Sequence, residues 1–314
     1  MLSSCPNYRD VEVRLPPPLR RYGETVNLRL AGKQDGPAIA ALGGISGNRL
    51  VCHVGAGTGW WPGLVEQGCA LDPDRYCILG LDFAADPTGQ SAPSTEDQAH
   101  VLAAALDAAG IEALAALVGA SYGGMVGLSF ASHYPERIRQ LVVISADAEP
   151  HAGASATREL QRRVVALGLQ TGRADEALSI ARGMAMLTYR TPEEFETRFR
   201  GGIDGDDPLA QCEAGSYLSA RGEAFQEVMS PGRFLSLSAS IDRHRVNPAS
   251  VVTRTLLIGA RSDQLVPPGR MEALRGQLGS PAELHLLDCL FGHDMFLKEA
   301  ARIGSIIRPF LEEA

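Results

Sequence analysis

Three short segments carry the residue types of a serine nucleophile, a histidine base and a carboxylate that orients it. The first is Gly119-Ala120-Ser121-Tyr122-Gly123-Gly124, which follows an apolar run and precedes an apolar helical stretch. This pattern predicts a strand, a sharp turn and a helix, with the serine hydroxyl lifted clear of the backbone at the turn. Glycines fit two residues before and after Ser121 because such a turn leaves no room for side chains. The segment predicts nucleophilic chemistry on Ser121, unless the serine merely caps the helix.

Two later loops supply the partners that the serine needs. A hydroxyl is a poor nucleophile at neutral pH, so a histidine must take its proton and a carboxylate must orient that histidine. Asp263 follows an apolar strand predicted to end at Gly259, and His293 follows the last predicted strand. The chain order serine, acid, histidine is that of enzymes with the α/β-hydrolase fold. Either residue could instead cap a helix, and Asp288 is a second candidate for the acid.

The predicted elements place these residues on a mostly parallel sheet. Strand patterns alternate with helical patterns up to about residue 148 and again from 248, which predicts an α/β-hydrolase core with helices on both faces. Residues 149–247 show almost no strand pattern and several amphipathic helical stretches. We therefore predict a core domain of residues 1–148 and 248–314, with a helical lid insertion at 149–247. The polar, proline-rich residues 1–24 are predicted to form an extended lead-in on the surface.

A glycine-rich loop after the short apolar strand Ala38–Leu42 could supply part of an oxyanion hole. Backbone N–H groups in such a loop can face a ligand, and in this fold the loop after the third strand provides one of the two donors. We expect this donor to be the N–H of Leu42 or of Gly44. The other is expected to be the N–H of Tyr122, the residue after the nucleophile.

Composition excludes several other classes of function. The 314 residues carry a net charge of −8 and no basic run, which argues against a nucleic-acid partner. The six cysteines are scattered without the spacing of a zinc site, so we predict reduced thiols in a cytoplasmic protein and no metal. No export signal and no apolar stretch long enough to span a bilayer are evident, so no membrane partner is predicted.

Several motifs together resemble the homoserine O-acyltransferases of methionine biosynthesis. They are Gly59-Trp60-Trp61-Pro62-Gly63-Leu64-Val65, Ala70-Leu71-Asp72-Pro73-Asp74-Arg75-Tyr76, the serine turn running into Met125, Tyr134-Pro135-Glu136-Arg137-Ile138, Ala181-Arg182 with Leu187-Thr188-Tyr189-Arg190-Thr191-Pro192-Glu193-Glu194-Phe195, and Gly292-His293-Asp294 with Phe296-Leu297. The resemblance runs from about residue 38 to the end and includes the helical insertion. It implies an α/β-hydrolase fold, a triad of Ser121, Asp263 and His293, and transfer of an acyl group from acyl-CoA to the homoserine hydroxyl without a cofactor.

The resemblance also implies how the amino-acid acceptor is bound. It implies that Arg182 binds the carboxylate of homoserine and that Asp294 binds its ammonium group. A guanidinium fork suits a carboxylate, and a carboxylate suits an ammonium. From the residues alone, Arg182 would be interpreted as a solvated helix charge. The family is commonly dimeric through its helical insertion, so a homodimer is expected.

The loop after the predicted third strand departs from the usual acetyltransferase pattern. That pattern reads Ala-Leu-Thr-Gly, whereas this chain has Ala41-Leu42-Gly43-Gly44 followed by Ile45-Ser46, and its N-terminal region is shorter. The Gly-Gly-Ile-Ser version is similar to family members associated with succinyl-CoA, so a succinyl group is favoured over acetyl. Its extra carboxylate needs a cation in the acyl pocket. Arg49 lies in a suitable loop, although a surface charge is the simpler interpretation.

Three other functions remain open at this point. A serine hydrolase of small acyl esters would use the same triad without an acceptor. An O-acyltransferase could act on serine or another hydroxy-amine, because one methylene in the acceptor is weakly discriminated. A catalytically silent binding module is the third alternative, and an intact triad argues against it.

Overall fold

The computed structural model describes residues 7–54 and 57–313 of the chain. Eight strands in this part of the chain form a single sheet. In chain order the strands are β1 (Tyr8–Arg14), β2 (Thr25–Gly32), β3 (Ala38–Leu42), β4 (Cys77–Leu81), β5 (Leu114–Ala120), β6 (Ile138–Ile144), β7 (Arg254–Ala260) and β8 (Ala282–Leu287).

The sheet is mostly parallel, as the sequence predicts. Its spatial order is β1-β2-β4-β3-β5-β6-β7-β8, and only the pairs β1–β2 and β2–β4 are antiparallel among the described strands. The carboxyl ends of β3, β5, β6, β7 and β8 therefore meet at one edge. In open α/β sheets ligands bind at this edge, and the loops that carry the predicted site residues all leave the sheet there.

The described part of the chain contains ten α-helices, some of which cover the two faces of the sheet. They are α1 (Thr95–Ala109), α2 (Tyr122–His133), α3 (Ala152–Thr171), α4 (Ala174–Tyr189), α5 (Pro192–Arg198), α6 (Glu213–Phe225), α7 (Pro231–Asp242), α8 (Pro268–Gln277), α9 (Met295–Lys298) and α10 (Ala300–Glu312). Helix α1 begins with a reciprocal cap between Ser94 and Asp97 and ends at Gly110 with a φ of 74°. These are the start and stop signals that its sequence predicts. None of the helices in the described ranges is both long and apolar enough to cross a membrane.

Alternate residues of each central strand enter two separate cores. In β5, Leu117 packs into the core that includes α1 and α2, whereas Val118 packs into the core that includes α10. This alternation follows from the two-residue period of a strand. Because both faces are buried, the central strands are mostly apolar, and they hold the carboxyl-edge loops on a rigid base.

Between β6 and β7 the chain forms the five helices α3 to α7. The predicted helical stretches 157–169 and 175–187 lie within α3 and α4. Helices α3 and α4 pack against each other, and α3 packs against α7. The division of the chain into a core domain and a lid at 149–247 stays a prediction about how these helices behave as a unit.

The prediction of an extended surface lead-in at residues 1–24 is only partly right for the described residues, because this segment includes an extended, mostly exposed strand but belongs to the sheet and its core. Residues Tyr8–Arg14 form β1, which pairs antiparallel with β2, and Pro17–Tyr22 form a 3₁₀ helix. Side chains of this segment enter the core, namely Val13, Leu15, Leu19 and Tyr22. Proline is tolerated at a helix start because the N–H that it lacks would be unpaired there. The first six residues lie outside the described part of the chain.

Candidate active site

Ser121 stands at the turn between β5 and α2. Its backbone has φ 53° and ψ −119°, a combination that non-glycine residues rarely adopt. A Cβ on Gly119 would lie against the carbonyl oxygen of Gly123, and a Cβ on Gly123 would lie against that of Leu42. The Ser121 side chain does not cap α2, so the capping interpretation is wrong. Instead, Ser121 Oγ lies 2.8 Å from His293 Nε2.

Asp263 completes a hydrogen-bonded chain with His293. Its Oδ2 lies 2.8 Å from His293 Nδ1, and both side chains are buried. Because a carboxylate only accepts, Nδ1 donates to Asp263 and Nε2 is left to accept from the serine hydroxyl. The other oxygen, Oδ1, accepts from the N–H groups of Leu265 and Val266 at 2.8 and 3.0 Å. Asp263 therefore orders the turn before α8 and orients His293 at the same time.

The alternative acid is on the surface. Asp288 lies 3.5 Å from the guanidinium of Arg261, and its side chain is 87% exposed. It makes no ion pair with His293 among the described residues. The structure therefore brings together Ser121, Asp263 and His293, and leaves Asp288 outside this group.

Opposing influences act on the pKa of His293. Burial lowers it, but the charge and hydrogen bond of Asp263 outweigh burial and hold the pKa above its ordinary value. Asp294 raises the pKa further, and the positive charge of Arg158 lowers it. A base of this kind can take the proton of Ser121 when the imidazole is neutral.

The start of α2 offers a donor for an oxyanion. The N–H groups of Gly123, Gly124 and Met125 have carbonyl acceptors, whereas no acceptor for the N–H of Tyr122 is found in the described ranges. The loop after β3 lies alongside, and Gly44 lines the cavity described next, with open space where a Cβ would be. The oxyanion roles of Tyr122 and of Leu42 or Gly44 stay a prediction, which this arrangement fits.

Ser121 opens into a cavity between the carboxyl edge of the sheet and the helices that follow β6. Ser145, the first residue after β6, lines its wall on the sheet side. Arg158 on α3 and Arg182 on α4 line the helical side. The cavity therefore contains the guanidinium groups of these two arginines and the Ser145 hydroxyl in addition to Ser121 and His293.

Arg182, the predicted carboxylate-binding residue, is half-buried in this cavity. Its guanidinium carbon lies 5.4 Å from the ring centre of Tyr189 and 4.6 Å from that of Phe225. The Tyr189 ring in turn lies 5.9 Å from the ring of His293. Within residues 7–54 and 57–313, no carboxylate approaches Arg182 within ion-pair distance. The aromatic contacts hold a positive charge in the cavity without neutralising it.

Asp294, the predicted ammonium-binding residue, lines the same cavity. Its Oδ2 accepts from Arg190 Nε at 3.1 Å. Arg190 is 6% exposed, and its Nη1 donates to the Tyr217 hydroxyl at 2.8 Å. No role for Arg190 was predicted from the sequence, although it lies in one of the segments that resemble the family. Arg190 fixes one oxygen of Asp294, and no hydrogen bond to the other oxygen is found in the described ranges.

Arg49, the predicted partner of a succinyl carboxylate, is not among the residues that line the cavity. Its Nη1 donates to Asp82 Oδ2 at 2.7 Å, and its backbone N–H donates to Asp82 Oδ1 at 2.9 Å. A neighbouring carboxylate therefore neutralises Arg49 within the protein. The assignment of Arg49 to the acyl group loses its structural basis.

Arg158 was not predicted from the sequence as a site residue. Unlike Arg49, it lines the cavity. Its Nε and Nη2 donate to Asp242 Oδ1 at 3.0 and 2.6 Å, and no bond from Nη1 is found within the described part of the chain. Asp242 thus holds the Nε and Nη2 edge of the guanidinium, whereas the N–H groups of Nη1 are available to a ligand. The charge of Arg158 is close enough to affect the pKa of His293. The sequence carried no local signal for this, because Arg158 and Asp242 are 84 positions apart.

Comparison with known protein families agrees with this fold. Residues 49–300 match the model of a family described as alpha/beta hydrolase fold. Homoserine O-succinyltransferase of Xanthomonas campestris pv. campestris is 40% identical over 303 residues, which cover 94% of this chain and 81% of that protein. Homoserine O-acetyltransferase of Thermobifida fusca is 28% identical over 355 residues, covering 97% of this chain and 94% of the relative.

Solved structures show the same fold with different chemistry. The homoserine O-acetyltransferase of Bacillus anthracis superposes with a TM-score of 0.84 at 15% identity, covering 97% of each chain. Esterase E22 has a TM-score of 0.84 at 19% identity, covering 97% of this chain and 99% of the esterase. Because transferases and esterases share the fold equally, the fold alone does not distinguish acyl transfer from ester hydrolysis.

Proposed function

The chain belongs to the homoserine O-acyltransferases of the α/β-hydrolase fold, and from this premise we propose that it transfers an acyl group from acyl-CoA to the hydroxyl of L-homoserine. One observation carries the proposal. The cavity that exposes the hydrogen-bonded Ser121 and His293 also presents Arg182 and Asp294, a cation and a carboxylate that suit the two charged ends of an amino acid.

Acylation is the first half of the proposed reaction. His293 takes the proton of Ser121 as Ser121 Oγ attacks the thioester carbonyl, and Asp263 stabilises the imidazolium that forms. The tetrahedral oxyanion accepts hydrogen bonds from the N–H of Tyr122 and from the N–H of Leu42 or Gly44. The C–S bond then breaks, His293 returns the proton to the CoA thiolate, and the acyl group remains on Ser121. These steps need no cofactor besides the acyl donor.

Transfer to the acceptor is the second half. Arg182 and Asp294 hold the carboxylate and ammonium of homoserine, so that its hydroxyl lies near His293. His293 takes the hydroxyl proton, the alkoxide attacks the acyl-enzyme carbonyl, and Ser121 leaves with the proton. Transfer exceeds hydrolysis when the acceptor is positioned and water is kept out. We assign the exclusion of water to the helices of residues 149–247, acting as a lid.

Succinyl is the acyl group that the cavity favours. A succinyl chain brings a second carboxylate into the cavity, and burying it requires a charge partner. Arg158 offers a half-buried guanidinium: its Nε and Nη2 bind Asp242 and Nη2 also donates to the Ser155 hydroxyl at 3.2 Å, whereas no partner of Nη1 is found in the described ranges. Arg158 therefore replaces Arg49 as the residue proposed to bind that carboxylate. An acetyl group would leave the Arg158 charge unused.

We further propose a homodimer formed through α3 and α4, in the cytoplasm, where acyl-CoA is consumed. Each of these helices has a pair of large apolar side chains seven residues apart that are about half exposed, namely Leu160 and Leu167 on α3 and Ile180 and Leu187 on α4, and α3 also exposes Leu169. This spacing places each pair on one side of its helix. Two copies packed through these faces would cover them in a four-helix arrangement.

The test of the function is an assay of CoA release that crosses two donors with two acceptors. Succinyl-CoA and acetyl-CoA are each supplied with homoserine, with serine or with no acceptor. The proposal predicts that succinyl-CoA with homoserine gives the highest rate and that CoA release without an acceptor is slow. Equal rates with and without homoserine would show a hydrolase. A preference for serine would show an acyltransferase of another hydroxy-amine.

Replacement of Arg158 tests the donor assignment within that assay. In Arg158→Met, Asp242 keeps its ion pair with Arg162 at 2.6 Å, so no carboxylate is orphaned. We expect kcat/KM for succinyl-CoA to fall by about 100-fold, with acetyl-CoA little changed. Arg49→Met is the control, and it should not alter the ratio between the two donors. An unchanged ratio in Arg158→Met would refute the assignment.

A further inference from the structure

Ser145 has two unfavourable features that the mechanism above does not use. Its φ is 49°, and among the non-glycine residues that the structure describes only Ser121 also has a positive φ. Its side chain is 1% exposed, and Oγ has no hydrogen-bond partner within the described part of the chain. Strained backbone and unpaired buried hydroxyls both cost stability. No contact within the described part of the protein offsets either cost at this position.

The backbone holds Ser145 rigidly beside the nucleophile. The Ser145 N–H donates to the carbonyl oxygen of Ile258 in β7 at 2.8 Å. The preceding carbonyl, that of Ile144, accepts from the N–H of Ser121 at 2.8 Å. Ser145 is thus fixed between the strand that ends in the nucleophile and the strand that leads to Asp263. Its backbone cannot shift without disturbing both.

Other residue types would avoid these costs. Glycine adopts a positive φ freely, and alanine would leave no hydroxyl unpaired. Since Ser145 lines the cavity that contains Ser121, a bound ligand can supply the missing acceptor. A polar group that is unsatisfied in the free protein and lies in a catalytic cavity is a candidate for ligand binding.

The acyl group on Ser121 identifies the acceptor atom. An acetyl group has one oxygen, the carbonyl, which the two backbone donors of the oxyanion hole already bind. A succinyl group has a second carboxylate, whose oxygens accept several hydrogen bonds. Arg158 in the same cavity supplies the charge for that carboxylate, whose two oxygens can accept more hydrogen bonds than the free Nη1 of Arg158 can donate. Of the two acyl groups, only the longer, anionic one therefore offers a further acceptor to an uncharged donor.

We propose that the Ser145 hydroxyl donates a hydrogen bond to the far carboxylate of a succinyl group carried on Ser121, which makes Ser145 a residue that determines donor specificity. The inference rests on the proposed acyltransferase function and names the chemistry of its donor site. It assigns the strain and the unpaired hydroxyl at Ser145 to the binding of this carboxylate.

Steady-state kinetics of Ser145→Ala with succinyl-CoA, acetyl-CoA and the uncharged butyryl-CoA test the proposal. We expect kcat/KM for succinyl-CoA to fall by about 10- to 100-fold, while the values for acetyl-CoA and butyryl-CoA change by no more than about 3-fold. The melting temperature should stay the same or rise, because the variant loses an unpaired hydroxyl. Ser145→Gly, which relieves the positive φ, should show the same donor selectivity and serves if the alanine variant is unstable.

Thr157→Val is the matched control. Thr157 also lines the cavity, but its hydroxyl already donates to the Gly153 carbonyl at 3.0 Å, so its loss should not alter donor selectivity. Equal losses with all donors in the Ser145 variants, or no loss with any, would overturn the proposal while leaving the acyltransferase function intact. A wild-type protein that releases CoA equally with and without homoserine would instead overturn the proposed function.

Discussion

The ionisation of His293 sets the pH at which acylation begins. The pKa of His293 is raised, and the imidazole must be neutral to accept the Ser121 proton. The value of kcat/KM is therefore greatest well above the pKa of His293 in the folded protein, and it falls as the pH is lowered through that pKa. We expect the acidic limb of kcat/KM for the acyl donor to have its midpoint above 6.5.

Asp294 contributes to this midpoint in a way that can be tested. Its negative charge raises the pKa of His293, so Asp294→Asn should move the acidic limb to lower pH. The burst of CoA released without an acceptor is the appropriate measurement, because it does not depend on the ammonium site. Asp288→Asn, on the exposed carboxylate that follows β8, should leave the limb in place. A shift to higher pH in Asp294→Asn would contradict the assignment.

At the scale of elements, the segment that ends α4 holds the turn that carries His293. Arg190 binds Asp294, and the Thr191 hydroxyl donates to the Leu290 carbonyl at 2.6 Å. In Arg190→Met, the neighbouring Glu194 keeps Arg198 at 2.8 Å, so Asp294 is the carboxylate that loses its partner. We expect the KM for homoserine to rise by about tenfold, with the donor KM and the CoA burst nearly unchanged.

Arg198→Met is the control for that experiment, because it removes a cation from Glu194 and leaves the contact between Arg190 and Asp294 intact. Its homoserine KM should match that of the wild type. If Arg190→Met reduced the CoA burst as strongly as it raised the homoserine KM, Arg190 would have a general structural role instead.

A buried histidine connects α7 to α1 and to the loop after β6. His244 is fully buried, with Nδ1 2.7 Å from the Thr95 hydroxyl and Nε2 2.9 Å from the Asp147 carbonyl. Burial lowers the pKa of His244 to about 4. The unfolded chain binds a proton at about 6.5, so between these values it holds more protons than the folded chain, and stability falls as pH falls.

This difference predicts a loss of about 3 kcal/mol in the free energy of unfolding between pH 6.5 and 4 from His244 alone. Urea denaturation at several pH values measures it. His244→Gln should be less stable than the wild type at pH 7, because its side chain cannot reproduce both hydrogen bonds. Its stability should nevertheless decline less steeply toward pH 4. An equally steep decline would show that other groups cause the acid sensitivity.

At the scale of the whole molecule, the exposed faces of α3 and α4 predict the oligomeric state. A charge placed in an apolar dimer core is costly unless it is paired. Leu167→Glu combined with Ile180→Glu should therefore convert a dimer to a monomer, as judged by light scattering after gel filtration. Leu209→Glu is the control, because Leu209 is 85% exposed but lies outside both helices. A monomeric wild-type protein would contradict the proposed dimer.

The sequence predicted the parallel sheet because each central strand is a continuous apolar run between turn signals. It did not predict β1, where exposed polar residues alternate with valines on an edge strand, a pattern that also fits a loop. Edge strands bury one face at most, so their sequence signal is weak. The positions of Ser121, Asp263 and His293 followed from the loops at the ends of strands.

The contacts that complete the site had no local signature. Arg190 and Asp294 are 104 positions apart, and Arg158 acts from a helix that the sequence shows only as amphipathic. The unpaired hydroxyl of Ser145 depends on packing between three strands. Such features arise when distant segments meet in the folded chain, so sequence spacing alone could not predict them. The pairing of Arg49 with Asp82 was hidden for the same reason.

In the proposed reaction Ser121 carries an acyl group between CoA and homoserine. Rapid quenching after mixing the protein with succinyl-CoA, followed by peptide mass spectrometry, tests it most directly. We predict a succinyl ester on the peptide that contains Ser121. Added homoserine should discharge this ester much faster than water does, with the succinyl group recovered on the homoserine oxygen. The absence of an adduct on Ser121, or its discharge to free succinate at a rate independent of homoserine, would contradict the account.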